Sequence, residues 1–431
     1  MSAHESPRFG WAVFGIFCLL LSPSRHAAAT NGLDVIGFGT ESEGMAGADV
    51  AVARDTTALN TNPAGLTQLR GSALDAYSGA AFSVDVRHQD GFGNDRKVSN
   101  WAVGLGGFGY ARQRGALRYG IGFFGQGGSG SIYREINTAF GTSDELSVLL
   151  RIAKLTPGIA YAVNDRLSVG FSASIAYADI KQRVFPETSF FNGNPGQTFF
   201  GYSIDHADRV GFSPKLGILY RLSDAVTLGA SYTGRSPLPL EHGTMVSNQT
   251  AIGLGKVTYS DVRLEGIALP QEAAVGAAWQ ATPQWLWSVK LDWLNWSNAL
   301  NDSTLTASRP DNPLAVPVIG NTVTNGWRDQ WVIALGGEYR YDDNTALRFG
   351  YNYGRNPIPA EHTNPLLAGL TEHHVTVGAA HRLGSRWELS FALEYAYSGH
   401  VTYTNPQLPF GPNATATDNF LGLYLMASRR W

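Results

Sequence analysis

From Leu74 onward, apolar and small or polar residues alternate along the chain. Leu167, Val169, Phe171, Ala173, Ile175 and Tyr177 alternate with Ser168, Gly170, Ser172, Ser174, Ala176 and Ala178. Trp387, Leu389, Phe391, Leu393, Tyr395 and Tyr397 alternate with Glu388, Ser390, Ala392, Glu394, Ala396 and Ser398. Period two puts each set on its own face of a β-strand. Fifteen such segments lie between about residue 74 and residue 431. Pro270 separates two of them, 256–264 and 271–280, and cannot donate to a ladder. They are read as one strand preceded by ordered loop, which leaves fourteen.

The connections decide between a soluble sandwich and a closed barrel. Tight turns at Asn164-Asp165, Leu222-Ser223-Asp224, Asp342-Asp343-Asn344 and Gly384-Ser385 alternate with long polar stretches at about 181–206, 235–262, 298–328, 354–372 and 399–418. That asymmetry is the one between periplasmic turns and extracellular loops of an outer-membrane barrel. Aromatic pairs at strand ends (Trp293/Trp296, Tyr339/Tyr341, Tyr351/Tyr353, Tyr395/Tyr397) and Tyr220 fit interfacial girdles. The final segment, Phe420 to Trp431, puts Leu421, Leu423, Leu425 and Ala427 on one face and ends on an aromatic, as a closing strand does. The expected fold is all-β: a fourteen-stranded antiparallel transmembrane β-barrel over residues 71–431.

Composition agrees. The chain has 431 residues with 50 glycines, 12% aromatic and only 16% charged residues, against about 25% charged in soluble domains. No internal run reaches the ~18–20 apolar residues of a membrane-spanning helix. A net charge of −3 without a basic stripe argues against a nucleic-acid partner. Residues 1–29 read as a secretory signal peptide: Arg8, an apolar Trp11–Leu21 core, the Ser22-Pro23 break and Ala27-Ala28-Ala29. The one cysteine, Cys18, lies inside it, so the mature chain is expected to be free of thiols.

Residues 30–70 do not alternate. Gly44–Ala53 is small and apolar, enough for a short helix. Asp55 can cap a turn at Thr56-Thr57-Ala58, and Asn62-Pro63-Ala64 pairs a good N-cap with proline at the first helical position. Ahead of a barrel this wide, such a block is expected inside the lumen as a hatch.

Gly37-Phe38-Gly39, Gly44-Met45-Ala46-Gly47-Ala48, Asn62-Pro63-Ala64-Gly65-Leu66, Pro157-Gly158-Ile159-Ala160-Tyr161 and Leu269-Pro270-Gln271-Glu272 resemble the FadL-type outer-membrane transporters of long-chain fatty acids and aromatic hydrocarbons. The resemblance covers essentially the whole mature chain and is most specific in the N-terminal block. It implies a fourteen-strand barrel in the bacterial outer membrane with an N-terminal hatch. It also implies passive uptake of hydrophobic molecules, most readily long-chain fatty acids, with monoaromatic hydrocarbons as the alternative. The resemblance implies release sideways into outer-membrane lipid through an inward kink in the third strand. Asn62, Pro63 and Ala64 are expected beside that kink, where glycines crowd residues 120–130 and Gly125 and Gly127 mark the gate. The resemblance further implies that Trp431 is read by the barrel assembly machinery.

Among residues that carry chemistry, Lys215, Lys290, Arg340 and Arg348 fall on the non-lipid face by phase, with Asp292, Glu338, Glu388 and Glu394. They either form a lumenal charge ladder that fixes the hatch or hold a substrate carboxylate. Phe190, Phe191, Phe199 and Phe200, with Phe185, form an apolar outer loop, and Ile358, Leu366, Leu367 and Leu370 another. Gly104-x-Gly106-x-x-Gly109 lies in a strand with no helix following, so it is no dinucleotide site. His373 and His374 are adjacent and point to opposite faces, which argues against a metal. No catalytic set and no cofactor is indicated. An outer-membrane lipid-modifying enzyme and an adhesive barrel are the readings from other classes.

Overall fold

The computed structural model describes residues 31–194, 198–366 and 369–431. The signal-peptide reading of 1–29 and Leu367 fall outside the described residues. Among the described residues, fourteen strands form the barrel wall in sequence, with shorter strands in the connections: β1 (Ser72–Gln89), β2 (Ala102–Arg114), β3 (Leu117–Asn137), β4 (Ser143–Ala162), β5 (Leu167–Phe190), β6 (Phe199–Arg221), β7 (Val226–Thr233), β8 (Glu272–Gln280), β9 (Trp285–Leu294), β10 (Gln330–Arg340), β11 (Thr345–Gly354), β12 (His373–Leu383), β13 (Trp387–Tyr397) and β14 (Ala414–Arg430). Each pairs antiparallel with the next. β14 closes on β1 from Ala73↔Arg430 to Gln89↔Thr415, so the first and last strands pair and close the barrel.

The alternation sorts the two faces as the sequence predicts. Ile121, Phe171, Ile175, Leu216, Ile333, Val377, Phe391, Leu421 and Leu425 are exposed on the outer wall. Their inward neighbours Ser172, Ser174, Ser213, Ser288, Thr376 and Ser390 are buried. Trp279, Trp331, Trp387 and Tyr395 are exposed near strand ends. Trp296 departs from the girdle reading. It is fully buried, because the chain turns inward after β9 and sets its ring 5.1 Å from that of Trp327.

Two regions differ from expectation. Residues 256–264 are not loop: Lys256–Glu265 is a strand that pairs with Leu240–Asn248 and with Asp302–Pro310. Leu240–Asn248 in turn pairs with β6. β3 to β6 are also longer than their alternating cores, so this end of the barrel continues as a sheet-built outer region. It is filled by apolar side chains including Tyr133, Phe185, Met245, Tyr259, Trp296 and Phe410.

Asn31–Arg70 lies within the barrel and touches its wall all round. The short helix α1 (Gly39–Gly44) packs against β1 and β11–β14, and the 3₁₀ turn Pro63–Gln68 packs mainly against β4–β6. The helix ends at Gly44 rather than spanning Gly44–Ala53. Ala46 and Gly47 have φ of 54° and 78° and turn the chain, and the apolar run beyond is buried irregular backbone closed by turns, with Ala48 N donating to Met45 O and Val52 N to Asp49 O. Asp55 accepts from Thr57 N, and Asn62 accepts from Ala64 N ahead of Pro63, so both caps form as expected. The wall holds this segment by its main chain. Ser172 Oγ donates to Leu59 O (2.8 Å), Ser288 Oγ to Ala48 O (2.7 Å), Asn352 Nδ2 to Ala46 O (3.0 Å) and Thr376 Oγ1 to Gly44 O (3.1 Å).

Candidate functional site

Among the described residues, the ladder between β2 and β3 is broken part-way along β2. Their ladder runs from Arg114↔Leu117 to Gly107↔Phe124 and stops, although β2 extends back to Ala102. On its other side β3 stays paired with β4, with an irregularity between Gly125 and Gly127. The strand bends where glycines permit it. Gly127 and Gly128 both have φ of 141°, a conformation that side chains rarely adopt. The backbone freed from β2 turns to the inner segment. Gly128 N donates to Leu33 O (3.1 Å), and Asp34 bridges Gly127. Gln126 turns inward with it, accepting from Asn60 Nδ2 (3.0 Å) and donating to Asp34 Oδ1 (3.1 Å). Above the break the wall is tied again: Ser99 N donates to Ile132 O (2.7 Å), and Asn100 bonds Ile132 N and Gly130 O.

The two gate glycines face different ways. A Cβ on Gly125 would lie 3.6 Å from Leu105 Cβ, across the break. A Cβ on Gly127 would lie 2.3 Å from Leu33 O, toward the lumen. Asn62, Pro63 and Ala64 are not at the break. Asn62 Nδ2 donates to Ile218 O of β6 (3.2 Å) and to Val50 O (2.7 Å), and the backbone at Ala64 abuts Gly170 of β5. Leu33, Asp34 and Asn60 occupy the place expected for them, because the inner segment passes the break before it reaches the capped turn.

Beside the break a cavity of about 40 Å³ is bounded by Asp34, Phe38, Gln126, Lys154, Lys215 and Lys290, among others. That volume suits a few waters. An engineered cavity that takes up benzene measures about 150 Å³, so this cavity is too small for a hydrocarbon.

The inward cations that phase predicts are engaged. Lys215 Nζ donates to Asn60 O (2.6 Å), Thr61 O (3.1 Å) and Glu272 Oε2 (3.3 Å). Lys290 Nζ lies 3.3 Å from Asp49 and 3.5 Å from Asp292. Arg348 pairs with Glu338 (2.8 Å) and Glu41 (3.1 Å), and Arg54 of the inner segment binds the same two carboxylates (2.6 and 2.8 Å). Arg340 is exposed and stands apart. It lines a vestibule of about 770 Å³ at the short-turn end with Arg54, Arg382, Arg386, Glu338 and Asp342. Lys154 escaped the sequence reading. It is buried on the inward face of β4 between outward Ala153 and Leu155, so the same phase would have found it.

At the outer end, Phe140 stacks on Phe199 (4.6 Å) and meets Phe190 (5.4 Å), while Phe185 is buried 6.1 Å from Phe199. Phe191 is exposed and Phe200 half-buried. His373 lies among Tyr351, Tyr353 and Tyr397, whereas His374 is buried and bonds Glu394 (2.8 Å). Their opposite orientation is the predicted one.

A closed fourteen-stranded barrel with an apolar outer wall and a lumen occupied by its own N-terminal segment defines an outer-membrane protein. The chain belongs to the outer membrane protein transport protein family (OMPP1/FadL/TodX), whose model matches residues 24–419. It is similar to the long-chain fatty acid transport protein of Salmonella typhi, with 22% identity over 265 residues. That match spans 56% of this chain and 58% of the relative, little more than half of each. Among solved structures it resembles the Pseudomonas putida toluene transporter TodX (TM-score 0.76, 20% identity, 92% of this chain and 99% of that one). It also resembles a Pseudomonas aeruginosa FadL homologue (TM-score 0.72, 15% identity, 93% and 99%). At these identities the structural likeness is one of fold.

Proposed function

We propose that this outer-membrane protein is a passive route for hydrophobic small molecules, with residues 30–70 acting as a hatch and release sideways into the bilayer between β2 and β3. The observation that carries the reading is the transfer of β3 backbone bonds from β2 to Leu33 and Asp34. The β2–β3 ladder ends where the hatch is attached, so a molecule that displaces the hatch there meets the part of the wall that no backbone bonds hold shut. A straight exit would lead through the vestibule of charged side chains around Arg340 and Glu338. An apolar solute entering it would lose roughly 25 cal/mol per Å² of apolar surface returned to water. In the bilayer that burial is kept.

The inner charges favour an uncharged cargo such as a monoaromatic hydrocarbon. Lys215, Lys290 and Arg348 each hold a hatch carbonyl or a carboxylate, so a substrate carboxylate would have to displace a bonded partner. Long-chain fatty acids are the second reading, favoured by the burial of Lys154 beside the break. Two experiments test the proposal. In proteoliposomes, a solvatochromic hydrophobic probe is expected to report arrival in the membrane before any in the enclosed buffer, and the reverse order contradicts lateral release. Binding of a fatty acid and of a monoaromatic, measured side by side on wild type and Lys154→Met, separates the cargoes: selective loss of fatty-acid binding in the variant supports the second reading.

A further inference from the structure

The helix α1 carries into the barrel a carboxyl that nothing binds. Glu43 is 1% exposed, and neither of its side-chain oxygens has a hydrogen-bond partner. Its neighbours on the helix are all engaged. Thr40 Oγ1 lies 2.5 Å from Ser390 Oγ, Ser42 Oγ donates to Asp49 Oδ2 (2.6 Å), and Glu41 pairs with Arg54 and Arg348.

The titratable and charged groups turned toward this helix come from every element packed on it. They are Tyr77 of β1, Arg348 of β11, His374 of β12, Glu394 of β13, Tyr424 of β14, and Asp49, Arg54 and Asp55 of the inner segment itself, with Arg54 held by Glu41 and Glu338 and Asp55 capping Thr57. None of them neutralises Glu43. Arg348 is held by Glu41 and Glu338. Tyr424 OH donates to Glu394 Oε2 (2.6 Å), and His374 Nδ1 lies 2.8 Å from Glu394 Oε1. Glu394 is thereby a satisfied carboxyl, and Glu43 is a second one beside it without a donor. Tyr77 OH and His374 Nε2 are likewise buried without a partner, so the chamber is polar but under-bonded.

A buried carboxylate with no donor and a like charge for a neighbour is strongly disfavoured, and such a group keeps its proton instead. Burial first, then Glu394 and Asp49, push the Glu43 carboxyl well above its ordinary value of 4.5. We propose that Glu43 is a proton-binding site that locks α1 against the barrel wall: the helix is seated while this carboxyl is neutral and is released when it ionises. The lock is independent of which molecule the barrel carries and of where that molecule leaves.

The sign follows from linkage. The carboxyl binds its proton more tightly in the seated helix than in the released one. Seating is therefore strongest below the ordinary carboxyl range. It weakens by up to tenfold per pH unit above that range, until the seated group itself ionises.

Hydrogen exchange of the full chain in lipid bilayers tests this from about pH 5 to about pH 9, with rates corrected for intrinsic base catalysis. Opening of Gly39–Ala48 is expected to rise up to tenfold per pH unit over part of this range, with β11–β14 unchanged. Glu43→Gln has the same shape and no proton to lose, so it is expected to flatten the rise. A flat corrected profile in the wild type, or an equal rise in Glu43→Gln, overturns the proposal. Should Glu43→Gln fail to assemble, the wild-type profile decides alone, a rise confined to Gly39–Ala48 supporting the lock and a flat profile overturning it.

Discussion

Alanine at Gly127 would strike the contact between the inner segment and the wall most directly. The residue has φ of 141°, and its new Cβ would stand 2.3 Å from Leu33 O. An L-residue in that conformation costs about 1–2 kcal/mol. Relief to even 3.0 Å requires Leu33 to withdraw, and its bond to Gly128 N, already 3.1 Å long, is then lost. The Asp34–Gly127 bridge goes with it. At about 1 kcal/mol per hydrogen bond, the seated state loses about 3 kcal/mol in all, a shift of more than a hundredfold toward release. Hydrogen exchange of Leu33–Phe38 should accelerate by roughly that factor, while the barrel stays folded and uptake of a hydrophobic probe rises. Gly91→Ala is the control, since nothing lies within 4 Å of its Cβ. Unchanged exchange at Leu33–Phe38 in Gly127→Ala would refute the reasoning, because the contact would then contribute nothing to seating.

Asn62→Ala removes the bonds to Val50 O and Ile218 O and the cap on Ala64 N. About 2–3 kcal/mol of hatch anchorage on β6 should go with them, seen as faster exchange over 60–68 and altered uptake with normal barrel heat-stability; unaltered exchange counts against it. Deleting Trp431 removes its paired backbone bonds to Ser72 (2.7 and 3.1 Å) and an exposed ring beside Tyr110 and Arg429. Outer-membrane levels of the truncated chain should fall more than on removal of any outer loop, and normal levels would argue against an assembly role.

Much of the barrel was legible because lipid imposes a strict rule. A strand between lipid and lumen must alternate, and the apolar phase of β5 or β13 is visible without any neighbour. Outside the membrane that rule lapses. The outer halves of β3 to β6 and the Lys256–Glu265 strand are set by pairing with one another, and a single segment cannot show its partner. Trp296 illustrates the same limit: an aromatic after a strand reads as interfacial until the chain is seen to turn inward. In the site, inward phase identified Lys215, Lys290 and Arg348 and should have identified Lys154. Their partners were hidden, because Asn60 O, Asp49 and Glu41 reach them only through the path of residues 31–70 across the lumen. The placement of Asn62 on β6 rather than at the break has that cause too. Local chemistry fixes the cap, but nothing in Asn62-Pro63-Ala64 says which wall it will meet.

Lateral release between β2 and β3 is tested most directly by a reversible bridge across the break. Leu105→Cys with Gly125→Cys suits it, since the two Cβ positions lie 3.6 Å apart, within the range of about 3.5–4.5 Å for disulfides. The only natural cysteine, Cys18, lies in the expected signal peptide. With the bridge oxidised, the protein should still bind a hydrophobic probe from the outer face but stop delivering it to the bilayer, and reduction should restore delivery. A fully bridged protein that delivers at the wild-type rate would mean that cargo leaves through the lumen.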